Sequence, residues 1–281
     1  MRWRTGRGSG NIEDRRGMGG AVGGIGVGGI VIALIAYFVF GIDPQEVLDS
    51  GVASGVQQQE GVMGAPTDEE GQFVSQIAGS TEEVWDAEFR EANLQYRPPT
   101  TVLYEQGTMT GCGLGQSAMG PFYCPADQRI YLDLAFFRKL ESDFGAPGEF
   151  ARAYVIAHEV GHHVQTLLGR SAEVRRAQQA ARSQEEANSY SVRLELQADC
   201  YAGVWAKQSN DRRRWLDPGD VEAGMRAASA VGDDTLQQRS QGRVAPDSFT
   251  HGSSEQRVRW FTIGLQSGDP DVCDTFGAGR L

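Results

Sequence analysis

Histidine and cysteine, which often bind transition metals, are scarce in this chain. Its 281 residues include only four of each, and no two cysteines form a Cys-x-x-Cys pair. A structural zinc site built from cysteines is therefore not expected. The length suits one substantial domain with accessory segments, and no internal repeat requires a second domain.

Basic charge is also scarce outside the N-terminus. The formal net charge is −11, but residues 1–41 carry five arginines against two acids, a net charge of +3, which leaves −14 on residues 42–281. Binding to nucleic-acid phosphates needs a basic surface. The acidic main body therefore argues against nucleic acid as a partner.

Charged residues are absent between Gly17 and Ile42, and residues 30–40 form an apolar run. Because about 20 apolar residues span a bilayer as a helix, we predict a transmembrane anchor over residues 17–42. The arginines before the anchor place residues 1–16 in the cytoplasm as a basic tail and the later residues outside the cell membrane. A cleaved signal peptide is the alternative, although no good small-x-small cleavage site follows the run.

Glycines recur at four-residue spacing in the predicted anchor, at Gly20, Gly24 and Gly28. This spacing can bring two membrane helices together as a homodimer, but it also fits a glycine-rich entry into the membrane with no partner. Residues 43–70, rich in glutamine, serine, glycine and acids, are predicted to form a linker. The folded domain is expected over residues 71–281.

Within this domain, signals for strands precede signals for helices. A capping box at residues 80–83 predicts the start of a first helix. Strands are predicted at 101–104, 122–123 and 128–132, with a glycine-rich turn at 110–115. Further helices are predicted at 134–144, 148–168, 171–208, 218–230 and 253–266. A few strands followed by many helices predict a mostly helical α+β domain with a small sheet, rather than a doubly wound parallel sheet.

The most informative segment contains His-Glu-x-x-His. On a helix, this spacing places His158 and His162 on one face, where they can share a tetrahedral Zn²⁺. Glu159 projects beside them, and a carboxylate there can take a proton from zinc-bound water. The pattern alone also arises by chance in ordinary helices, so a third ligand is needed to support it.

Two acids in a later helical region are candidates for that ligand. Glu195 and Asp199 lie four residues apart among apolar residues, which fits poorly with a solvated helix face. Glu195 is the predicted third ligand and leaves the fourth position open for water. Asp199 is predicted to accept the free N–H of a ligand histidine, although it also competes for the ligand role.

These motifs resemble a known family. The combination of His-Glu-x-x-His with Glu-x-x-Ala-Asp is similar to the gluzincin arrangement, and more closely to the bacterial "putative neutral zinc metallopeptidases". The resemblance covers nearly the whole chain and is carried by residues 122–127, 158–165, 195–203 and 250–257. It implies a zincin-like metallopeptidase fold with zinc ligands at His158, His162 and Glu195 and a general base at Glu159.

The remaining histidines are less easily assigned. His163 points about 100° away from His162 around the helix and is expected to pack or to support the site rather than bind the metal. His251 precedes the last predicted helix, where it either donates a hydrogen bond to the oxyanion of a peptide under attack or caps the helix. Tyr154, one turn before His158, has the same oxyanion alternative, but a core position is favoured.

Four cysteines in a domain expected outside the cytoplasm favour two disulfides. Proximity in sequence favours Cys112–Cys124, and Cys200–Cys273 would tie the C-terminus to the helix of Glu195. The chain is thus interpreted as a membrane-anchored zinc metalloprotease whose partners are a lipid bilayer and a peptide or protein substrate. The strand at 128–132 is the predicted edge for pairing with an extended peptide. A zinc-containing scaffold of the same fold without proteolytic activity is the main alternative, and a zinc hydrolase of another bond also fits.

Overall fold

A computed structural model describes residues 1–17, 61–116, 120–143 and 145–281. These residues form a mixed α and β fold that is mostly helical with a small sheet, as predicted. The predicted anchor beyond Gly17, with its repeated glycines, lies outside the described residues, and so do residues 43–60 of the predicted linker. No helix in the described ranges is long and apolar enough to cross a membrane.

Seven strands occur in the described residues. They are β1 (Ile12–Asp14), β2 (Val62–Met63), β3 (Thr100–Tyr104), β4 (Gly107–Thr110), β5 (Gly113–Gln116), β6 (Phe122–Cys124) and β7 (Arg129–Asp133). Five of them form the main sheet in the order β2-β1-β3-β7-β6. Strands β1, β3 and β7 run parallel, and β2 and β6 run antiparallel to their neighbours. Strands β4 and β5, which were not predicted, form a separate hairpin around the glycine-rich turn.

Strand β7 is not an edge of the sheet. It pairs with β3 on one side and with β6 on the other, so the prediction of a peptide-binding edge at residues 128–132 is wrong. The edge strand on this side, among the described residues, is β6. Alternation along one segment predicts a strand but not its neighbours, because strand order depends on pairing between distant segments.

Eight α-helices lie in the described part of the chain. They are α1 (Glu69–Glu91), α2 (Leu134–Ser142), α3 (Glu149–Leu167), α4 (Arg170–Ala180), α5 (Gln184–Arg213), α6 (Asp220–Ala230), α7 (Asp233–Gln241) and α8 (Ser254–Ser267). The single helix predicted at 171–208 is divided into α4 and α5. Ser183 starts α5 because its side chain accepts the backbone N–H of Glu186. Helix α7 has no counterpart among the predictions.

Helix α1 begins at Glu69 and not at the predicted capping box. Asp68 is the N-cap, and its side chain accepts the N–H of Gly71. This cap and the acids of the first turn start the helix before the predicted capping box at residues 80–83. Ser80 is instead buried in mid-helix, where it accepts a hydrogen bond of 2.9 Å from Nε1 of Trp205.

Residues 1–16 lie within the domain. Strand β1 is an interior strand of the main sheet, and Trp3 and Ile12 are buried in the core. The charge pattern predicts a separate basic tail over residues 1–16, whereas in the structure this segment packs on the domain and contributes β1 to its sheet. Their signal was weak because β1 is short and two of its three residues are acidic.

Helices α3 and α5 pack closely against each other beside the candidate site. A Cβ atom at Gly161 would lie 3.1 Å from both the Cα and the carbonyl oxygen of Ala198, so only glycine fits here without displacing α5. The two predicted disulfides are confirmed. Cys112–Cys124 joins the β4–β5 hairpin to β6, and Cys200–Cys273 joins α5 to the C-terminal segment.

Candidate metal centre

Three side chains from two helices converge at the candidate centre. His158 and His162 project from α3 and Glu195 projects from α5, and their potential ligand atoms all lie within 4.8 Å of one another. Nε2 of His158 is 3.2 Å from one oxygen of Glu195, and Nε2 of His162 is 3.3 Å from the other. Two ligands held about 2.0–2.1 Å from a tetrahedral zinc ion lie roughly 3.3 Å apart, so this spacing fits a shared metal.

The second nitrogen of each ring is held by an acceptor. Nδ1 of His158 lies 2.8 Å from Asp199, and Nδ1 of His162 lies 2.9 Å from the side-chain oxygen of Gln165. The Gln165 amide is oriented by its NH₂ group, which donates to the carbonyl of Leu194. Both neutral rings therefore carry the proton on Nδ1 and turn the Nε2 lone pair towards Glu195. A cation between these electron-rich groups would remove their mutual repulsion.

The buried charge around the centre is negative. Glu159, Asp199 and the largely buried Glu195 face one buried cation, Arg257, which leaves a net charge of −2 when the histidines are neutral. Burial alone would raise the pKa of Glu195, but His162 and His158 hold it well below its usual value. Burial lowers the pKa of His158, and the carboxylates of Asp199 and Glu195 outweigh this and raise it to about 9. Protons and a divalent cation therefore compete for the same position.

Asp199 is fully buried and is held by several donors. Arg257 donates to both of its oxygens, at 2.8 and 2.9 Å, and the hydroxyl of Tyr154 donates to Oδ1. Burial raises the pKa of Asp199, but Arg257 and His158 lower it to about 2. Asp199 thus lies on the Nδ1 side of His158, where it orients the ring, while Glu195 faces Nε2.

Sequence reasoning did not single out Arg257, although it ends one of the quoted motifs. Arg257 lies on α8 and is only 3% exposed. The available signal was a pair of arginines, Arg257 and Arg259, near the apolar residues Trp260 and Phe261 of an amphipathic helix. A buried arginine needs a carboxylate partner, but the sequence does not indicate which of its many acids that partner is.

Glu159 lies beside the histidines and is only 7% exposed. Burial raises its pKa, and the neighbouring histidines partly oppose this. The backbone of Tyr123 in β6 also lowers this pKa, so the edge strand of the sheet runs next to this side chain. A raised pKa suits a carboxylate that must accept a proton and then return it.

His251 lies in the loop before α8, and its side chain is half-exposed. Its Nδ1 is 3.2 Å from Asp233, a residue that the sequence analysis did not single out. The other oxygen of Asp233 accepts the backbone N–H groups of residues 250–252, which fixes the loop. The hydrogen bond to Asp233 raises the pKa of His251, and the charge of Glu195 contributes to the same shift.

His163 lies away from the cluster. Its Nε2 donates to the carbonyl of Arg97 at 2.6 Å, and Nδ1 is 3.2 Å from the hydroxyl of Tyr123. The ring also packs edge-on against Tyr96. His163 therefore joins α3 to the loop before β3 and to β6 and does not face the candidate metal position.

A pair of helical histidines that meets a carboxylate from a second helix defines a candidate metalloprotein of the zinc-peptidase type. The chain belongs to the family described as "Putative neutral zinc metallopeptidase", whose model matches residues 1–276. It is 47% identical to the uncharacterized protein YpfJ of Escherichia coli K12 over 99% of both chains. It is 43% identical to the uncharacterized protein Rv2575 of Mycobacterium tuberculosis H37Rv over 86% of both chains. No solved structure matches this chain.

Proposed function

We propose that this chain is a zinc-dependent peptidase, anchored to a membrane by the apolar stretch within residues 17–42. The observation that carries the proposal is the convergence of His158, His162 and Glu195 beside the buried Glu159. Membership of the metallopeptidase family supports it. The two disulfides support a location of the domain outside the cytoplasm.

Zinc bound by the three side chains would supply a Lewis acid for a peptide carbonyl and would lower the pKa of a water molecule to about 7. Glu159 would take a proton from the attacking water and then deliver it to the leaving amine. Asp199 keeps His158 in the tautomer whose Nε2 lone pair faces Glu195 and would be free to bind the ion. The side chains of His162 and Glu195 remain 15% and 18% exposed, so water and substrate can reach this side of the centre.

An extended substrate is proposed to bind along β6 instead of β7. Strand β6 ends the strand order of the described sheet, so its outer edge can pair with another strand. The backbone of Tyr123 in this strand lies close enough to the proposed base, Glu159, to lower its pKa. A peptide paired with β6 would therefore pass close to the candidate metal position.

Purified full-length chain is expected to bind about one zinc ion and to degrade an unstructured protein such as casein. The full chain is required because a fragment starting near residue 70 would lack strands β1 and β2. A chelator should stop cleavage, and added zinc should restore it. Stoichiometric zinc without cleavage of casein or of a peptide library would favour the scaffold alternative, and absence of zinc binding would contradict the proposal.

His251 is expected to donate a hydrogen bond to the carbonyl oxygen of the substrate in the transition state. Because its pKa is raised above the ordinary 6.5, the ring is protonated at and below that pH and loses its proton as pH rises through the raised value. With Nδ1–H held by Asp233, the protonated ring offers Nε2–H to the substrate. We expect His251→Gln to reduce kcat by about 10²-fold or more with little change in KM.

The alkaline limb of the pH profile of kcat/KM provides the control for this assignment. His251→Gln should remove the part of that limb due to His251. Asp233→Asn should move it to lower pH, because the neutral amide no longer stabilises the protonated ring. An unchanged alkaline limb in both variants would show that His251 only fixes the loop before α8.

A further inference from the structure

The two ends of the segment between residues 17 and 61 are held side by side in the domain. Asp14 of β1 is opposite Val62 of β2 in an antiparallel pair. The backbone N–H of Gly61 donates to the carboxylate of Glu13 at 2.9 Å. With consecutive Cα atoms 3.8 Å apart, Gly17 and Gly61 cannot be separated by more than about 20 Å.

Strand β1 is built into the sheet and is not a loose addition to its surface. It lies between β2 and β3, and its backbone ladder with β3 is extended by hydrogen bonds at Asn11 and Arg15. The side chain of Glu13 is buried and pairs with Arg15 at 2.6 Å and with Arg129 at 2.7 Å. Removing this strand would leave Arg129 without its buried partner and would expose one side of β3.

The N-terminal arginines find their partners on the domain. Arg16 binds Asp68 with two hydrogen bonds, of 2.6 and 3.0 Å. Arg2 lies 3.2 Å from Asp217, and Arg4 pairs with Glu69. The same charge asymmetry that predicts a cytoplasmic tail therefore also allows the basic segment to bind the acidic domain.

The sequence of helix α1 also indicates that the N-terminal segment packs against it. Glycine in a helix interior is unfavourable relative to alanine, yet Gly79 lies in the middle of α1. A Cβ atom there would be 2.2 Å from the carbonyl oxygen of Arg7 and 2.9 Å from the backbone nitrogen of Ser9. Gly79 is thus required by the close approach of residues 7–9.

We propose that residues 1–16 lie on the same side of the membrane as the candidate peptidase domain. A single crossing would separate Gly17 from Gly61 by the hydrocarbon core, which is about 30 Å thick, and would prevent β1 from pairing with β2 and β3. The partner proposed for the apolar stretch is still a lipid bilayer. The inference rests on the membrane anchor proposed above, concerns the placement of residues 1–16 and is independent of the proposed peptidase activity.

Cysteine labelling of the full chain in spheroplasts tests the sidedness. Gly10→Cys reports on the N-terminal segment, because a Cβ atom there meets no other atom within 4 Å, and Gln238→Cys reports on an exposed position of α7. The native cysteines do not interfere, since all four are in disulfides. With a membrane-impermeant maleimide, both variants should react to the same extent before permeabilisation and to the same extent after it. Reaction of one variant before permeabilisation and of the other only afterwards would overturn the proposal.

Gly79→Ala in the full chain provides a second test. The substitution should change Tm in opposite directions, depending on whether residues 1–16 lie on the same side of the membrane as the domain or on the other side. If residues 7–9 pack on α1, the added methyl group displaces them and Tm falls by several degrees. If these residues lie across the membrane, the same substitution only improves the helix, and Tm rises. A rise in Tm, or unchanged protection of residues 1–16 from protease, would overturn the proposal.

Discussion

Replacement of Glu159 by glutamine is expected to slow peptide hydrolysis by about 10²- to 10⁴-fold, the usual contribution of a positioned general base. Glutamine has the same shape as glutamate, but it cannot take a proton from water. Glu159 is not among the three converging ligand atoms, so zinc binding should persist. The measurements are kcat/KM on a fluorogenic peptide and the zinc content of the same sample.

Glu185→Gln is the matched control for this variant. Glu185 is an exposed residue in the first turn of α5, the helix that also carries Glu195. Its substitution makes the same change of charge without touching the centre, and activity should remain within about twofold of the original. Equal activity of Glu159→Gln and the unsubstituted chain would remove the proposed role of Glu159. Loss of zinc from Glu159→Gln would show that the carboxylate acts on the metal site itself.

The parts of the centre that could be predicted are those set by helical spacing. A four-residue interval places His158 with His162, and Glu195 with Asp199, on common faces irrespective of the rest of the fold. The apolar neighbours of the second pair indicated that it faces inwards. In the structure these two faces meet because Gly161, which lacks a side chain, lets α3 approach Ala198 of α5 closely. The need for a small residue at this position is visible only in the packed helices.

The parts that could not be predicted depend on pairing between distant residues. Arg257 reaches Asp199, and His251 reaches Asp233, from segments whose relative position follows only from the complete packing of α5, α7 and α8. Strand β1 was missed for the same reason. Its acidic side chains look solvated in sequence, but Glu13 is buried because Arg15 and Arg129 neutralise it. Local patterns indicate that a charge is present and not which partner it finds.

Replacement of Arg257 by methionine is expected to lower the free energy of unfolding by about 3–5 kcal/mol, because it leaves the carboxylate of Asp199 buried without its cation. Both hydrogen bonds from Arg257 to Asp199 are lost, as is the 3.2 Å bond to Tyr154. The loosened Asp199 no longer holds His158 as firmly, so zinc affinity should fall by about 10- to 100-fold. Urea unfolding in the presence of a chelator measures the first effect without a contribution from bound metal, and zinc titration measures the second.

Two further variants distinguish an effect on the buried pair from a general effect on α8. Arg259→Met makes the same change two residues further along the helix, at a partly exposed position, and should alter stability by no more than about 0.5 kcal/mol. Asp199→Asn combined with Arg257→Met removes both buried charges and should recover much of the stability lost in the single variant. Zinc affinity should stay low in this double variant, because a neutral amide does not strengthen the histidine as a carboxylate does. Recovery of zinc affinity together with stability would mean that Arg257 and Asp199 serve the fold alone.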